Sequence, residues 1–430
     1  LLIAPSSLDE WLAYQSRLNP RAIDLGLERL RGVLERLQWR RPAVSVITVA
    51  GTNGKGSVVT TCGALLMACG KKVGVFTSPH FRDYRERIRI QGQLVESAAL
   101  IAAFERIEAA RDEIPLTFFE YNTLAALLLF EAAGLDVWVL EIGLGGRLDA
   151  VNVVDPDVAV VVSIGLDHQD FLGNSLETIG REKAGIFRSA KPALLGNRDL
   201  PGCVEATAVA AGAKLKRLGQ EFDYSRSDEA WHYRGTRWDL PGLPPPVLLG
   251  EAQFDNAATA IAALEELPLL TTVASEDLAA GLASVRLTGR FQLVRAVQGK
   301  GPDWILDVAH NPDAASILAR NLQELPIGPA TFAVCGILTD KDAVAIVGEL
   351  RGSFDRWWFV ATGGDRGRSA AALYSCVAPG LDAPAEALES VPLACEAAAA
   401  AARDGDRIVV FGSFHTVGPA LDWLESRGIL

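Results

Sequence analysis

The feature that most constrains this chain is the order in which apolar segments of strand length alternate with amphipathic segments of helix length. That alternation is the pattern of a mostly parallel sheet covered by helices. Residues 44–50, 72–77, 136–142 and 157–164 read as strands, with helices over 56–69 and over 122–133, the latter closed by Gly134. After Leu200 the pattern loosens, and residues 231–240, WHYRGTRWDL, read as a hairpin turning at Arg234-Gly235 before the stiff run PGLPPP. A second α/β series follows, with strands over 304–308, 331–337, 357–361 and 407–412, and the Ala-rich CEAAAAAARDG as a helix. The expected architecture is α/β: a domain with a mostly parallel sheet over residues 1–290, whose glycine-rich turn at residues 51–57 after the first strand marks it as a P-loop ATPase domain, and a smaller Rossmann-like α/β domain over 291–430. The boundary is set near Arg290, beyond the proline run and the helix around Asn256, because the second series begins after it.

With 430 residues, about half of them apolar, the chain can bury two cores. A formal charge of -12 argues against wholesale attraction to nucleic acid or anionic lipid, so an anionic substrate must be met by a local cationic pocket. Six scattered cysteines without a CxxC pair fit a reducing cytoplasm. No apolar run reaches the roughly 18 to 20 residues of a bilayer span, and the start, LLIAPSSLDEWLAYQ, has no charged region ahead of its apolar residues. The expected location is therefore the cytoplasm, with no membrane or nucleic-acid partner.

Between the first strand and its helix lies Gly51-Thr52-Asn53-Gly54-Lys55-Gly56-Ser57. A turn that wraps a polyphosphate needs inward-pointing backbone N–H groups, hence glycines, and a lysine that reaches the outer phosphates. The usual GxxxxGK[ST] spacing fails, because Val49 holds the first glycine position and Gly56 follows the lysine. Thr52, Asn53, Gly54, Lys55 and Gly56 are the expected ATP contacts, with Ser57 capping the helix near the phosphates. A loop lacking the hydroxyl after its lysine must obtain magnesium ligands elsewhere. Ser78, Glu141 and His168 follow or end apolar strands and should emerge at the carboxyl edge of the sheet, where open α/β sheets bind ligands. Taken singly, Glu141 serves equally as a ligand or a salt-bridged structural acid, and His168 is more often a satisfied histidine.

The ordered segments GTNGKGS, TSPH, FFEYNTLAAL, LEIGLGGRLDA, SIGLDHQDFLG, IGREKAGIFR and DVAHNPDAA together resemble the bacterial dihydrofolate synthase/folylpolyglutamate synthase family of the Mur ligase superfamily. The resemblance runs from AIDLGLERL to FGSFHTVG. It implies that Ser78, Glu141 and His168 bind magnesium, with two ions expected, and that Lys183 is carried as an N6-carboxylysine. It implies nucleotide contacts at Asn256, Arg290 and Asp307, with His310 close by. Without it, Asn256 reads as a helix N-cap, Asp307 as a strand-end acid and Lys183 as a surface lysine pairing with Glu177. The matching pterin segments are Ala22, Ile23, Asp24 and Leu25; Thr117, Phe118, Phe119 and Glu120; and Leu148, Asp149 and Ala150. Phe118 and Phe119 serve equally as core, and Asp149 equally as a turn cap. Ser413 and His415 are candidates for the glutamate site, where a structural Gly-Ser turn is the other reading.

Departures from the family pattern are Val58-Val59 after Ser57, where further hydroxyls are frequent, and Thr339 where a histidine is frequent. The chemistry the resemblance implies is attack of a substrate carboxylate on the γ-phosphate of ATP, then attack of glutamate's amine on the acyl phosphate. The expected substrates are dihydropteroate, reduced folates and L-glutamate, with Lys55, Lys183 and His310 as catalytic groups and a monomer as the working state. A monofunctional folylpolyglutamate synthase, another Mur-type amide ligase and a P-loop switch remain alternatives; only a ligase consumes an amino acid in step with ATP.

Overall fold

The structure, a computed structural model, describes residues 5–227, 230–296, 300–326, 330–364 and 366–430. It divides into two compact units, one of Leu1–Val247 with Phe254–Val285, the other of Leu248–Gln253 with Arg286–Leu430.

In the first unit, eight strands form one sheet: β1 (Ser45–Ala50), β2 (Val73–Phe76), β3 (Ile88–Ile90), β4 (Gln93–Leu94), β5 (Val137–Glu141), β6 (Val158–Val161), β7 (Pro192–Leu195) and β8 (Lys214–Arg217). Their order is β4-β3-β2-β5-β1-β6-β7-β8, parallel throughout except for the β2-β3-β4 edge. The near-continuous apolar strands are explained by burial on both faces. In β1, Val46 and Ala50 join one core, while Ile47 and Val49 join the other. Trp138 and Leu140 in β5 likewise oppose Val137 and Val139. A separate antiparallel sheet, β9 (Asp223–Arg226), β10 (Trp231–Arg234) and β11 (Asp239–Leu243), contains the expected hairpin. The stiff run after it begins later than expected, since Pro241, Gly242 and Leu243 belong to β11.

The helix Lys55–Ala68 follows β1 and is apolar nearly all round, as a helix buried on both sides must be. The fit leaves no room for side chains at two positions. A Cβ at Gly63 would come within 2.8 Å of the Val75 side chain in the sheet, and one at Gly281, in helix Ser275–Ser284, within 2.9 Å of the Leu65 Cα. The next buried helix spans Phe118–Ala132 and starts four residues before the expected residue 122. Thr117 and Glu120 form a capping box, each side chain meeting the other's backbone N–H, and this fixes the start.

The second unit carries β12 (Gln292–Val294), β13 (Asp303–Asp307), β14 (Thr331–Cys335), β15 (Arg356–Val360), β16 (Ala385–Leu388) and β17 (Arg407–Phe411) in the order β12-β13-β17-β14-β15-β16. Only the β12-β13 pair is antiparallel. The Ala-rich segment forms helix Val391–Ala401, whose Ala394, Cys395 and Ala398 are buried. Both units are therefore α/β with mostly parallel sheets. Among the described residues no helix is long and apolar enough to cross a membrane.

Candidate active site

The register of the first sheet brings the candidate residues to one edge. β1 lies between β5 and β6, parallel to both, with Val49 level with Glu141 and Ala50 level with Val161. Phe76 of β2 is level with Leu140. The chain leaves all four strands in one direction, so the glycine loop, Ser78, Glu141 and the segment leading to His168 start from the same carboxyl edge. β6 ends at Val161, three residues before the expected Ile164. The residues released from it tie down the glycine loop. Ser163 Oγ accepts from Asn53 N at 2.9 Å and donates to Asn53 O at 2.8 Å, and Thr52 N donates to Ser163 O at 2.7 Å. Thr52 Oγ1 exchanges hydrogen bonds with Gly165, donating to its carbonyl at 3.2 Å and accepting from its N–H at 2.9 Å.

Gly54 is the N-cap of helix Lys55–Ala68, at φ +88°, and a Cβ there would lie 2.8 Å from Asn256 Oδ1. Both the left-handed backbone and the close amide call for glycine. Ser57, expected as the cap, instead lies buried inside the first turn, because the helix begins two residues before it. Asn256 is buried within helix Ala252–Glu265, so it is not an N-cap; its amide abuts the glycine loop.

Two lysines converge on one backbone oxygen. Lys55 Nζ donates to Gly51 O at 3.0 Å and Thr52 O at 3.1 Å, and Lys183 Nζ donates to Gly51 O at 2.9 Å. Lys183, from the last turn of helix Leu176–Ala184, is only 4% exposed, which removes the reading of a surface lysine paired with Glu177. Burial and the neighbouring Lys55 ammonium bring its pKa down to about 7, against the pull of Asp167 and Asp149. A substantial share of Lys183 is thus a neutral amine near neutral pH.

Glu141 ends β5 with 4% exposure and accepts from Ser78 N at 3.1 Å through Oε2. His168, half-buried at φ +50°, opens the short helix Gln169–Leu172, with Nε2 3.9 Å from Asp167 Oδ2. A hydroxyl, a carboxylate and an imidazole suit a divalent ion that keeps part of its water. Among the described residues no three His, Cys, Asp or Glu side chains are grouped to hold a metal by themselves. An ion at this edge would complete its shell from phosphate and water.

The three segments expected at the pterin are joined by contacts between residues far apart in sequence. Arg29 Nη1 lies 2.8 Å from Asp24 Oδ2, and its Nε donates to the Glu120 carboxylate at 3.0 and 3.1 Å. Gly26 N donates to Leu148 O at 3.1 Å, which fastens the loop of Ala22, Ile23 and Leu25 to the turn before Asp149. Phe118 and Phe119 are half-buried; Phe119 lies against Gly143 and 5.9 Å from Phe76, ring to ring. Asp149 is 1% exposed and accepts from Val151 N at 3.0 Å and Leu144 N at 2.8 Å, so it does cap the turn, next to Ala150. Burial pushes its pKa up to about 6, against these donors and Lys55. Arg29 and Ser163 were not singled out in the sequence. Arg29 sits inside AIDLGLERL as an ordinary helical arginine, and no local signal marks Ser163.

In the second unit, Asp307 ends β13 and accepts from Phe291 N and Ala309 N, both at 2.7 Å. Surrounding protein raises its pKa, against the Arg290 charge. Arg290 lies with Cζ 5.5 Å from the Phe414 ring centre. His310 Nδ1 lies 2.8 Å from Val308 O. Ser413 is the buried N-cap of helix Phe414–Ser426, 2.8 Å from Thr416 Oγ1, while His415 is exposed in the first turn. Thr339 bonds to Arg366 O through its N–H at 3.0 Å and its hydroxyl at 3.1 Å.

The Mur ligase middle domain model matches residues 49–264, and the Mur ligase glutamate ligase domain model matches residues 289–414. The dihydrofolate synthase/folylpolyglutamate synthase of Escherichia coli K12 is 46% identical over 424 residues, covering 99% of this chain and 97% of that protein. A solved structure of E. coli FolC in complex with DHPP and ADP is similar at a TM-score of 0.92 and 45% identity, covering 99% of each chain. A bifunctional folylpolyglutamate synthase/dihydrofolate synthase with Mn, AMPPNP and L-glutamate bound gives a TM-score of 0.89 at 43% identity, covering 98% of this chain and 99% of that one.

Proposed function

Given that the chain belongs to the dihydrofolate synthase/folylpolyglutamate synthase family of Mur ligases, we propose that it joins L-glutamate to dihydropteroate and adds further γ-linked glutamates to reduced folates, consuming ATP. The observation that carries this reading is the convergence of Lys55 and Lys183 on the Gly51 carbonyl at the mouth of the glycine loop. A carboxylate is a poor electrophile, so amide formation needs a leaving group. Transfer of the γ-phosphoryl group to the substrate carboxylate supplies one, and the amine of glutamate then displaces phosphate from the acyl phosphate.

The chain's groups divide this work. Backbone N–H groups of Gly54 to Ser57, at the start of helix Lys55–Ala68, receive the phosphates, and Asn256 borders that loop at Gly54. Lys55 leaves its two carbonyl partners to neutralise charge spread over the transferring phosphoryl oxygens. Magnesium held by Ser78, Glu141 and His168 would polarise the γ-phosphate. Lys183, part neutral at physiological pH, is suited to carbamylation; the resulting anion would help hold a second ion. Arg29 braces Asp24 and Glu120 around the pterin slot, where Phe118 and Phe119 offer apolar faces and Asp149 a polar edge. In the second unit, Arg290, Asp307 and His310 serve the nucleotide, and Ser413 and His415 the incoming glutamate. The protein works as a cytoplasmic monomer.

The test is ADP release by the full chain with ATP and magnesium, adding dihydropteroate and L-glutamate singly and together. Turnover that requires both, with dihydrofolate formed in equal amount, is the expected result. Failure of both dihydropteroate and tetrahydrofolate to stimulate turnover overturns the reading.

A further inference from the structure

Arg87 ends the short 3-10 turn Tyr84–Arg87 and is 8% exposed. Its Nε donates to His80 Nδ1 at 2.8 Å, and its guanidinium carbon lies 5.6 Å from the Phe118 ring centre and 6.0 Å from that of Tyr84. Among the described residues its two terminal amino groups have no acceptor, and it forms no ion pair. Glu86, its neighbour in sequence, is already engaged, its carboxylate accepting from the backbone N–H groups of Phe81 at 2.9 Å, Arg82 at 3.0 Å and Asp83 at 2.9 Å. The charge of Glu141 reaches the guanidinium without forming a pair. The two amino groups keep contact with water, and a guanidinium held by His80 beside the Phe118 and Tyr84 rings presents them to an anion that displaces that water.

Resting on the function proposed above, we propose that Arg87 receives the carboxylate of the folate-type acceptor and holds it for phosphoryl transfer. The planar fork of a guanidinium matches a carboxylate with two parallel hydrogen bonds, which a lysine ammonium does not. Phe118 lies in the segment expected to meet the pterin, and Ser78 and Glu141, the candidate metal residues, lead from the strands beside the turn that carries Arg87. The acceptor's carboxylate is the reacting end of that substrate. In the step so arranged, one carboxylate oxygen forms a bond to the γ-phosphorus as the bond from that phosphorus to the β–γ bridging oxygen breaks. ADP leaves with the electron pair, and no proton moves. Arg87 orients the nucleophile through its second oxygen and takes no part in bond making. His80, accepting at Nδ1 from Arg87 Nε, fixes the plane of the fork.

The experiment compares binding of dihydropteroate with binding of its carboxamide analogue to the full chain, in the presence of AMPPNP and magnesium, for wild type, Arg87→Gln and Arg87→Lys. The expected result is a preference for the carboxylate of roughly 10²-fold in the wild type, lost in Arg87→Gln and partly kept in Arg87→Lys, with AMPPNP affinity within about twofold. Should Arg87→Gln not fold, Arg87→Lys carries the comparison, since a point charge in place of the fork still reduces the preference. Three outcomes overturn the inference alone: an undiminished preference in both variants, AMPPNP affinity falling as far as dihydropteroate affinity, or equal loss for both pterins. A wild type that binds neither pterin overturns the functional reading itself.

Discussion

Lys183 and Asp307 are both ionisable groups at the carboxyl edge of a parallel sheet, one in each unit, and the backbone treats them differently. Among the described residues, Lys183 is buried with one carbonyl oxygen as its hydrogen-bond acceptor, which it shares with Lys55. Asp307 is partly exposed and has two backbone N–H donors of its own. The first arrangement leaves charge under-compensated, so the protein forgoes stability for a site that a ligand or a modification completes. The second uses its charge to hold backbone in place: Phe291, which donates to Asp307, sits at φ +43°, a conformation that needs support in a residue other than glycine.

The contrast can be broken first at the lysines. Lys55→Ala is expected to cut turnover by roughly 10³-fold while the thermal midpoint stays close to wild type, since the two carbonyl oxygens that the half-buried lysine gives up each lose one donor and no N–H donor among them is stranded. Activity near the wild-type level would remove Lys55 from the phosphoryl transfer. Lys183→Met should lose roughly 150-fold in turnover, on the order of 3 kcal/mol, yet melt no lower than wild type, because an apolar chain of similar length replaces a desolvated amine. A fall in melting temperature with activity retained would make Lys183 a structural residue.

Asp149 sharpens the comparison through pH. Its folded pKa, about 6, lies above its ordinary value, so the folded state binds the extra proton in the intervening range. The stabilisation is complete below about pH 4 and is lost as pH rises through about 6, a change of about 3 kcal/mol. Asp149→Asn does not titrate, and urea unfolding at several pH values should show wild type losing stability relative to the variant over that window. Parallel curves would show that the buried carboxyl titrates normally. The smallest effect is expected at Asp307→Ala, about 2 kcal/mol, because it leaves two N–H groups without their acceptor and Phe291 without its brace. Its unfolding midpoint tests this, and Asp307→Asn, which keeps one acceptor oxygen, should recover part of the loss.

The parts of the molecule legible in the sequence are those whose cause is local. Apolar runs gave away the two parallel sheets, and glycines around Lys55 gave away the loop, because each depends on a few consecutive residues. Helix Phe118–Ala132 begins four residues early for a reason also present in the sequence, the pairing of Thr117 with Glu120. Arg29 and Arg87 were hidden for a different reason. Arg29 matters because it spans 91 residues to Glu120, and Arg87 because folding buries it while its two terminal amino groups meet no acceptor among the described residues, and neither fact has a local pattern. Ser57 shows the converse: a serine placed where caps are common became an interior residue once Gly54 took the left-handed cap position.

One consequence follows from the helix behind the glycine loop. Gly63 lets it touch the sheet, and Gly281 lets a neighbouring helix touch it closely as well, so the helix is held tightly at both contacts. A loop mounted on so confined a support loses little conformational freedom when nucleotide arrives. Affinity there is spent on holding phosphate rather than on ordering the chain, and the loop's amide exchange should change little between the empty and nucleotide-bound protein.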